Sequence, residues 1–188
     1  MALVASLGGL NALSQVLSAL PASFSAAVVV MQHMEAGRAS LLPEILETRT
    51  PLRVQSAAEG DVLRAGTVFV APPGRHLSLR DGRTLALTDT PRVNFVRPSA
   101  DVLLNSLSEA GAPVIAVVLT GAGKDGAAGS LLVRDSGGTV LAQDRETSVN
   151  FGMPGAAVSA GAVNEVLPLQ AIAPRLVQLI DALYGTNA

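Results

Sequence analysis

Val114-Ile115-Ala116-Val117-Val118-Leu119-Thr120-Gly121-Ala122-Gly123-Lys124-Asp125-Gly126-Ala127-Ala128-Gly129 decides the fold. The apolar run to Leu119 is unbroken, the pattern of a strand covered on both faces, as in a parallel sheet. It enters a glycine-rich turn, and the residues from Ala127 to Arg134 are good helix formers. The connecting loop therefore opens at the carboxyl edge of the sheet, where open α/β proteins bind ligands. Asp125 lies in that loop beside Lys124, the only lysine of the chain.

The flanking chain repeats the pattern. Leu3 to Ala5 reads as a short strand ending at Ser6, with Gly8-Gly9 as the turn. An amphipathic helix follows through Leu10, Leu13, Val16, Leu17 and Leu20, closed by Pro21. Ala27 to Met31 is a second buried strand ending in Gln32-His33-Met34, and a helix is expected from about Arg38 to Leu46. Short strands at Arg53 to Gln55 and Thr67 to Val70 precede a hairpin, His76 to Arg80 and Thr84 to Thr88, turning through Asp81-Gly82-Arg83. Ser99 caps a helix from Ala100 to Ala110, and the helix after Asp125 runs to Ser136. Thr139 to Ala142 is another buried strand. Asn150 to Gly155 reads as an irregular loop with a helix after it through Ala160, and Leu169 to Leu183 is a terminal amphipathic helix. The expectation is one α/β domain over 1–188, a doubly wound, mostly parallel Rossmann-like sheet with helices on both faces and an added antiparallel hairpin.

Composition narrows the function. Of 188 residues, 49% are hydrophobic and 15% charged, which describes a chain with a large core rather than a disordered one. A net charge of -2 without a basic cluster gives no footprint for nucleic acid or an anionic membrane. Cysteine is absent, which removes disulfides and thiolate metal sites. No basic leader and no apolar run near the roughly 18 residues of a membrane span is present, so a cytoplasmic location is expected. No metal or cofactor is called for.

In a parallel sheet Ser6, His33 and Asp125 all leave carboxyl strand ends and share one edge. Their types are those of a nucleophile, a general base and a residue that orients the base. Serine is not ionised near neutral pH, so its hydroxyl needs the imidazole; the imidazole needs a carboxylate to hold its tautomer. Gly8 and Gly9 would let a substrate approach N–H groups at a helix start, which suits an oxyanion. Each residue also has a plainer reading: Ser6 as a helix cap, His33 as a hydrogen-bonded structural histidine, Asp125 as a turn residue. Gly121-Ala122-Gly123-Lys124-Asp125-Gly126, with Asp144 about 20 residues on, also fits a dinucleotide fingerprint. Against that reading, Asp125 would repel a pyrophosphate, and the motif lies late in the chain.

Six pieces in order carry a resemblance: Ala5-Ser6-Leu7-Gly8-Gly9, Gln32-His33-Met34, Val70-Ala71-Pro72-Pro73-Gly74-Arg75-His76-Leu77, Arg97-Pro98-Ser99-Ala100-Asp101, Leu119 to Gly126, and Ala142-Gln143-Asp144 with Phe151-Gly152-Met153-Pro154. The chain resembles the catalytic domain of the chemotaxis-type protein-glutamate methylesterases, the CheB family of two-component signalling. The resemblance implies Ser6 as nucleophile, His33 as general base and Asp125 as orienting acid. The substrate it implies is a glutamate γ-methyl ester, with glutamine deamidation in some relatives, on a methylated chemoreceptor-like helical protein. Leu7 stands where relatives carry a small or hydroxyl residue, and Ala122 where many carry methionine. Both positions belong by resemblance to the oxyanion region. Met153, beside Pro154, either lines the substrate pocket or plugs its loop against the core. These departures leave open a weakly active or inactive homologue that works as a binding module. The chain has no receiver domain before Ser6, which implies either no regulation in cis or control by a separate regulatory protein.

The remaining candidates have plain structural readings. Arg75 and Arg97 either steer an acidic receptor face or tie loops together. Asp144 caps a helix or pairs with an arginine, and Asp101 suits the first turn of its helix. His76 is the structural histidine of the two.

Overall fold

The computed structural model describes residues 1–35, 37 and 40–185. Nine strands and six helices follow in chain order among them: β1 (Ala2–Ala5), α1 (Gly9–Ser18), β2 (Val28–Gln32), α2 (Leu42–Glu47), β3 (Arg53–Ser56), β4 (Thr67–Val70), β5 (His76–Arg80), β6 (Thr84–Thr88), α3 (Ala100–Ser108), β7 (Ile115–Val118), α4 (Ala127–Asp135), β8 (Thr139–Gln143), α5 (Gly152–Ser159), β9 (Glu165–Leu167) and α6 (Leu169–Tyr184). Seven strands form one sheet in the order β3-β4-β2-β1-β7-β8-β9, and every pairing in it is parallel. The hairpin β5–β6 is a separate antiparallel pair.

Period-two alternation along β1 shows how the sheet divides its cores. Leu3 and Ala5 pack with α1, α2 and α6; Ala2 and Val4 pack with α3, α4, α5 and the hairpin. All four residues are fully buried, so the central strand reads as continuously apolar. A buried leucine or valine contributes about 1.5–3 kcal/mol, which explains why such short strands suffice.

The chain winds outward from β1 in both directions, through β2 on one side and β7 on the other. The crevice between them is the topological switch point, and the loops after β1, β2 and β7 carry Ser6, His33 and Asp125 to it.

Three expectations are corrected, and one strand was not foreseen. The helix expected from Arg38 begins at Leu42, where Pro43 fixes its first turn; Arg38 and Ala39 lie outside the described residues. Helix α5 starts at Gly152, inside the stretch expected to be irregular. Strand β9 was not legible, being three partly exposed residues at the sheet edge. Ser99 occupies the N-cap of α3 but makes no side-chain cap bond, because its hydroxyl serves Asp125.

Candidate active site

His33 continues the sheet ladder one step past β2, its N–H donating to Ala5 C=O at 3.0 Å. Ala5 pairs with Gln32 as the last rung, so Ser6 and His33 leave adjacent strands, about 4.8 Å apart, one residue past it. From there the ring reaches the loop after β7, and Nε2 lies 2.8 Å from Asp125 Oδ2.

Asp125 is 3% exposed and collects several donors besides His33. Ser99 Oγ donates to Oδ1 at 2.7 Å and Asn94 Nδ2 at 3.0 Å. The Ala100 N–H donates to Oδ2 at 2.6 Å, and the Asp101 N–H to Oδ1 at 3.3 Å. Burial pushes the Asp125 carboxyl up, but the bonds from His33, Asn94, Ser99 and Ala100 outweigh it and bring the pKa down to about 2. An ionised carboxylate only accepts, so His33 Nε2 carries the ring proton and Nδ1 is the basic nitrogen.

Ser6 is fixed through its main chain. Its N–H donates to Thr120 C=O at 3.0 Å, and its C=O accepts from Gln32 Nε2 at 2.7 Å and from the Gly9 N–H at 2.8 Å. No hydrogen bond joins Ser6 Oγ to His33 among the described residues; both residues line one cavity of about 610 Å³ with Leu7, Gly8, Gly9 and Gln32. A second depression of about 530 Å³, lined by Arg92, Phe95 and Val96 among others, adjoins His33.

The expected oxyanion residues behave differently from one another. The Gly9 N–H is committed to Ser6 C=O, so Gly9 offers a substrate no donor. Gly8 has φ 81, and a Cβ there would meet Val149 at 2.7 Å, so only glycine fits this turn into α1. The Leu7 side chain is 55% exposed and forms part of the cavity wall. Ala122 is exposed at the same edge but does not line the Ser6 cavity. Met153 is fully buried in the core beneath the site and lines neither of the two depressions beside His33. Its sulfur packs against Gly121, where a Cβ would collide with it and come within 2.8 Å of Ser6 Cβ.

The other candidates are structural. Arg75 ties the hairpin, bonding Leu87 C=O at 2.9 Å and Asp89 Oδ1 at 2.7 Å. Arg97 holds Asp89 and Thr90 carbonyls. Buried His76 accepts from the Ser99 N–H on Nδ1 and so donates from Nε2 to Pro91 C=O. Asp144 accepts from the Thr147 N–H and Oγ1. Asp101 accepts the Gly126 N–H at 3.0 Å and the Gly129 N–H at 2.8 Å, occupying the N-terminus of α4. A dinucleotide would place its pyrophosphate on those amides, so the glycine fingerprint has no vacant phosphate seat. No group of three or more potential metal-ligating His, Asp or Glu side chains occurs among the described residues. None of their helices is long and apolar enough to cross a membrane.

Asn94, Gln32 and Thr120 were missed as site residues. Thr120 holds the loops around Ser6, donating from Oγ1 to Leu7 C=O and accepting the Asn150 N–H. Only Asn94 carried a usable signal, as a turn-forming residue between two valines and a phenylalanine.

A doubly wound α/β domain with a serine and an imidazole–carboxylate pair at its switch point is a small structural class. Residues 1–176 match the family described as CheB methylesterase, and the chain belongs to that family. It is 45% identical over 179 residues to the protein-glutamate methylesterase/protein-glutamine glutaminase 1 of Cupriavidus pinatubonensis, covering 95% of this chain and 52% of that protein. It is also 45% identical over 183 residues to the protein-glutamate methylesterase FrzG of Myxococcus xanthus, covering 96% and 54%. The chain thus spans about half the length of the curated relatives it matches. The crystal structure of the Thermotoga maritima CheB methylesterase catalytic domain superposes with a TM-score of 0.90 at 37% identity, covering 95% of this chain and 96% of that one.

Proposed function

We propose that the chain hydrolyses glutamate γ-methyl esters on a chemoreceptor-like helical protein in the cytoplasm, with Ser6, His33 and Asp125 as the catalytic residues. The observation that carries this reading is the 2.8 Å contact between His33 Nε2 and Asp125 Oδ2 beside a cavity that Ser6 and His33 share. Ser6 Oγ attacks the ester carbonyl while His33 Nδ1 takes its proton, and Asp125 stabilises the imidazolium. The tetrahedral oxyanion faces the N–H groups of the Leu7–Gly8 turn at the start of α1. Collapse breaks the bond to the methoxy oxygen, which takes the proton from His33 and leaves as methanol. Water, deprotonated by His33, then attacks the Ser6 ester, and glutamate is released as Ser6 regains its proton. With a glutamine side chain the same steps release ammonia in place of methanol. Relatives named both methylesterase and glutaminase support that second substrate.

Methanol release from a methyl-esterified helical receptor fragment tests the reading. Ser6→Ala and His33→Ala should each lower turnover by at least roughly a thousandfold with the far-UV circular dichroism unchanged. Full turnover by either variant overturns it, and so does an unaltered chain that releases no methanol.

A further inference from the structure

The segment before α3 makes a tight turn in which the Val93 and Val96 N–H groups each donate to the other's carbonyl, at 3.2 and 3.0 Å. Its two central residues, Asn94 and Phe95, have φ of 51 and 67. Asparagine tolerates that region; an aromatic residue there is strained. The strain does not serve burial, for the Phe95 side chain is 93% exposed. The turn is nevertheless held tightly to the site. Asn94 Nδ2 donates to Asp125 Oδ1 at 3.0 Å and to Asp101 Oδ2 at 2.7 Å. Phe95 also lines the depression that adjoins His33.

Phe95 belongs to an apolar rim. Leu7 and Leu10 after β1, Leu41 before α2, and Val149 between β8 and α5 are exposed large apolar residues carried by segments leaving the carboxyl ends of strands. Arg92, beside the turn, is exposed and makes no ion pair among the described residues, and Lys124 is likewise exposed and unpaired there. Glu35 lines the same depression as Arg92 and Phe95, so the rim sets Arg92 and Lys124 against one nearby carboxylate. An apolar rim with free cations of this kind is the complement of a protein surface bearing apolar side chains among carboxylates. A small ester needs no such rim.

We propose that Phe95, presented by the Val93–Val96 turn, is the anchor that seats the protein substrate, and that its partner is an acidic helical surface carrying the esterified glutamate. The proposal rests on the ester-hydrolase reading and deepens it. Phe95 inserts among the apolar side chains of the helix while Arg92 pairs with neighbouring carboxylates. Asn94 ties that anchor to the carboxylate that orients His33, so the docked helix and the imidazole share one rigid frame.

The test uses a designed helical peptide with a glutamate γ-methyl ester flanked by leucines and glutamates, and p-nitrophenyl acetate as the small ester. Phe95→Ser should raise KM for the peptide at least tenfold, with a smaller change in kcat, and its loss in kcat/KM on the peptide should exceed that on the small ester tenfold. Phe95→Leu should recover part of the loss. In the Ser6→Ala background, which reads binding apart from turnover, Phe95→Ser should weaken the peptide Kd at least tenfold. Equal losses on both esters, or an unchanged Kd, overturn the proposal. So does self-association of the chain that Phe95→Ser abolishes while the peptide Kd stays the same. An unaltered chain that binds the peptide in this Phe95-dependent way yet hydrolyses neither ester overturns the hydrolase reading and leaves the docking surface established.

Discussion

Asp125 and Asp101 cap each other's helices. Asp125, in the loop before α4, accepts the first amides of α3, while Asp101, in the first turn of α3, accepts the Gly126 and Gly129 amides at the start of α4. Asn94 donates to both carboxylates and spans the pair. Each negative charge thus lies at a positive helix end, which offsets their mutual repulsion. The carboxylate hydrogen-bonded to His33 is therefore also a structural element.

Asp125→Asn should consequently cost stability as well as activity, with a definite pH dependence. The folded carboxyl titrates at about 2, below its unfolded value, so its contribution is present above about pH 4 and is lost as pH falls towards 2. At pH 7 the loss should be roughly 2 kcal/mol, shrinking as the buffer is taken towards pH 2.5. Urea unfolding of both chains across that range measures it. A difference independent of pH would contradict the capping role.

Asp101 has the opposite sign. Burial raises its pKa, the Gly129 amide partly offsets this, and the Asp125 charge adds to the rise. Its titration therefore stabilises the folded chain as pH falls through the raised pKa. Asp101→Ala removes the α4 cap at a cost of about 1 kcal/mol, a Tm lower by about 2–4 °C at neutral pH. Calorimetry should show this gap to be smaller than the Asp125→Asn gap.

The His33 ring should carry its single proton on Nε2 when neutral, because Asp125 accepts there. Nitrogen-15 NMR of the imidazole distinguishes the tautomers directly. A protonated Nδ1 in the neutral ring would leave Ser6 without a base and would remove the proposed first step.

Gly121→Ala would drive a methyl group against the Met153 sulfur and Ser6 Cβ. Overpacking of this kind costs about 1–3 kcal/mol, and both the Met153 side chain and Ser6 stand in the way. The variant should show a lower Tm together with a lower kcat on a small ester. A kcat equal to that of the unaltered chain would mean that the core beneath Met153 absorbs the displacement.

Leu7→Thr addresses the possibility of an inactive homologue. The side chain is more than half exposed on the cavity wall, so stability should change by less than about 0.5 kcal/mol. Any effect should fall on KM. A large gain in kcat would instead identify Leu7 as an obstruction.

Hydrophobic pattern made the architecture legible, because strands such as Thr67–Val70 and the hairpin pair are local periodic signals bounded by glycine and proline. Strand β9 was not, since Glu165 to Leu167 is neither long nor continuously buried. The three residues at the strand ends were readable from topology. Their supports were not: Ser99 looked like the cap of its own helix, and its service to Asp125 depends on a contact 26 residues away in the chain. Met153 had two readings, pocket lining or core plug, and its packing under Gly121 is that of the core plug. Side-chain direction within irregular loops has no periodic signature.

The adjacent strands that deliver Ser6 and His33 have an evolutionary corollary. Their spacing is inherited from backbone hydrogen bonding, so insertions or rewritten loops beyond those strands can remodel what the protein recognises without retuning the distance between hydroxyl and ring. The carboxylate arrives by a separate crossover and has no such guarantee. Mutational drift in this lineage should accordingly be tolerated around the first two groups and purged around the clamp that secures the third.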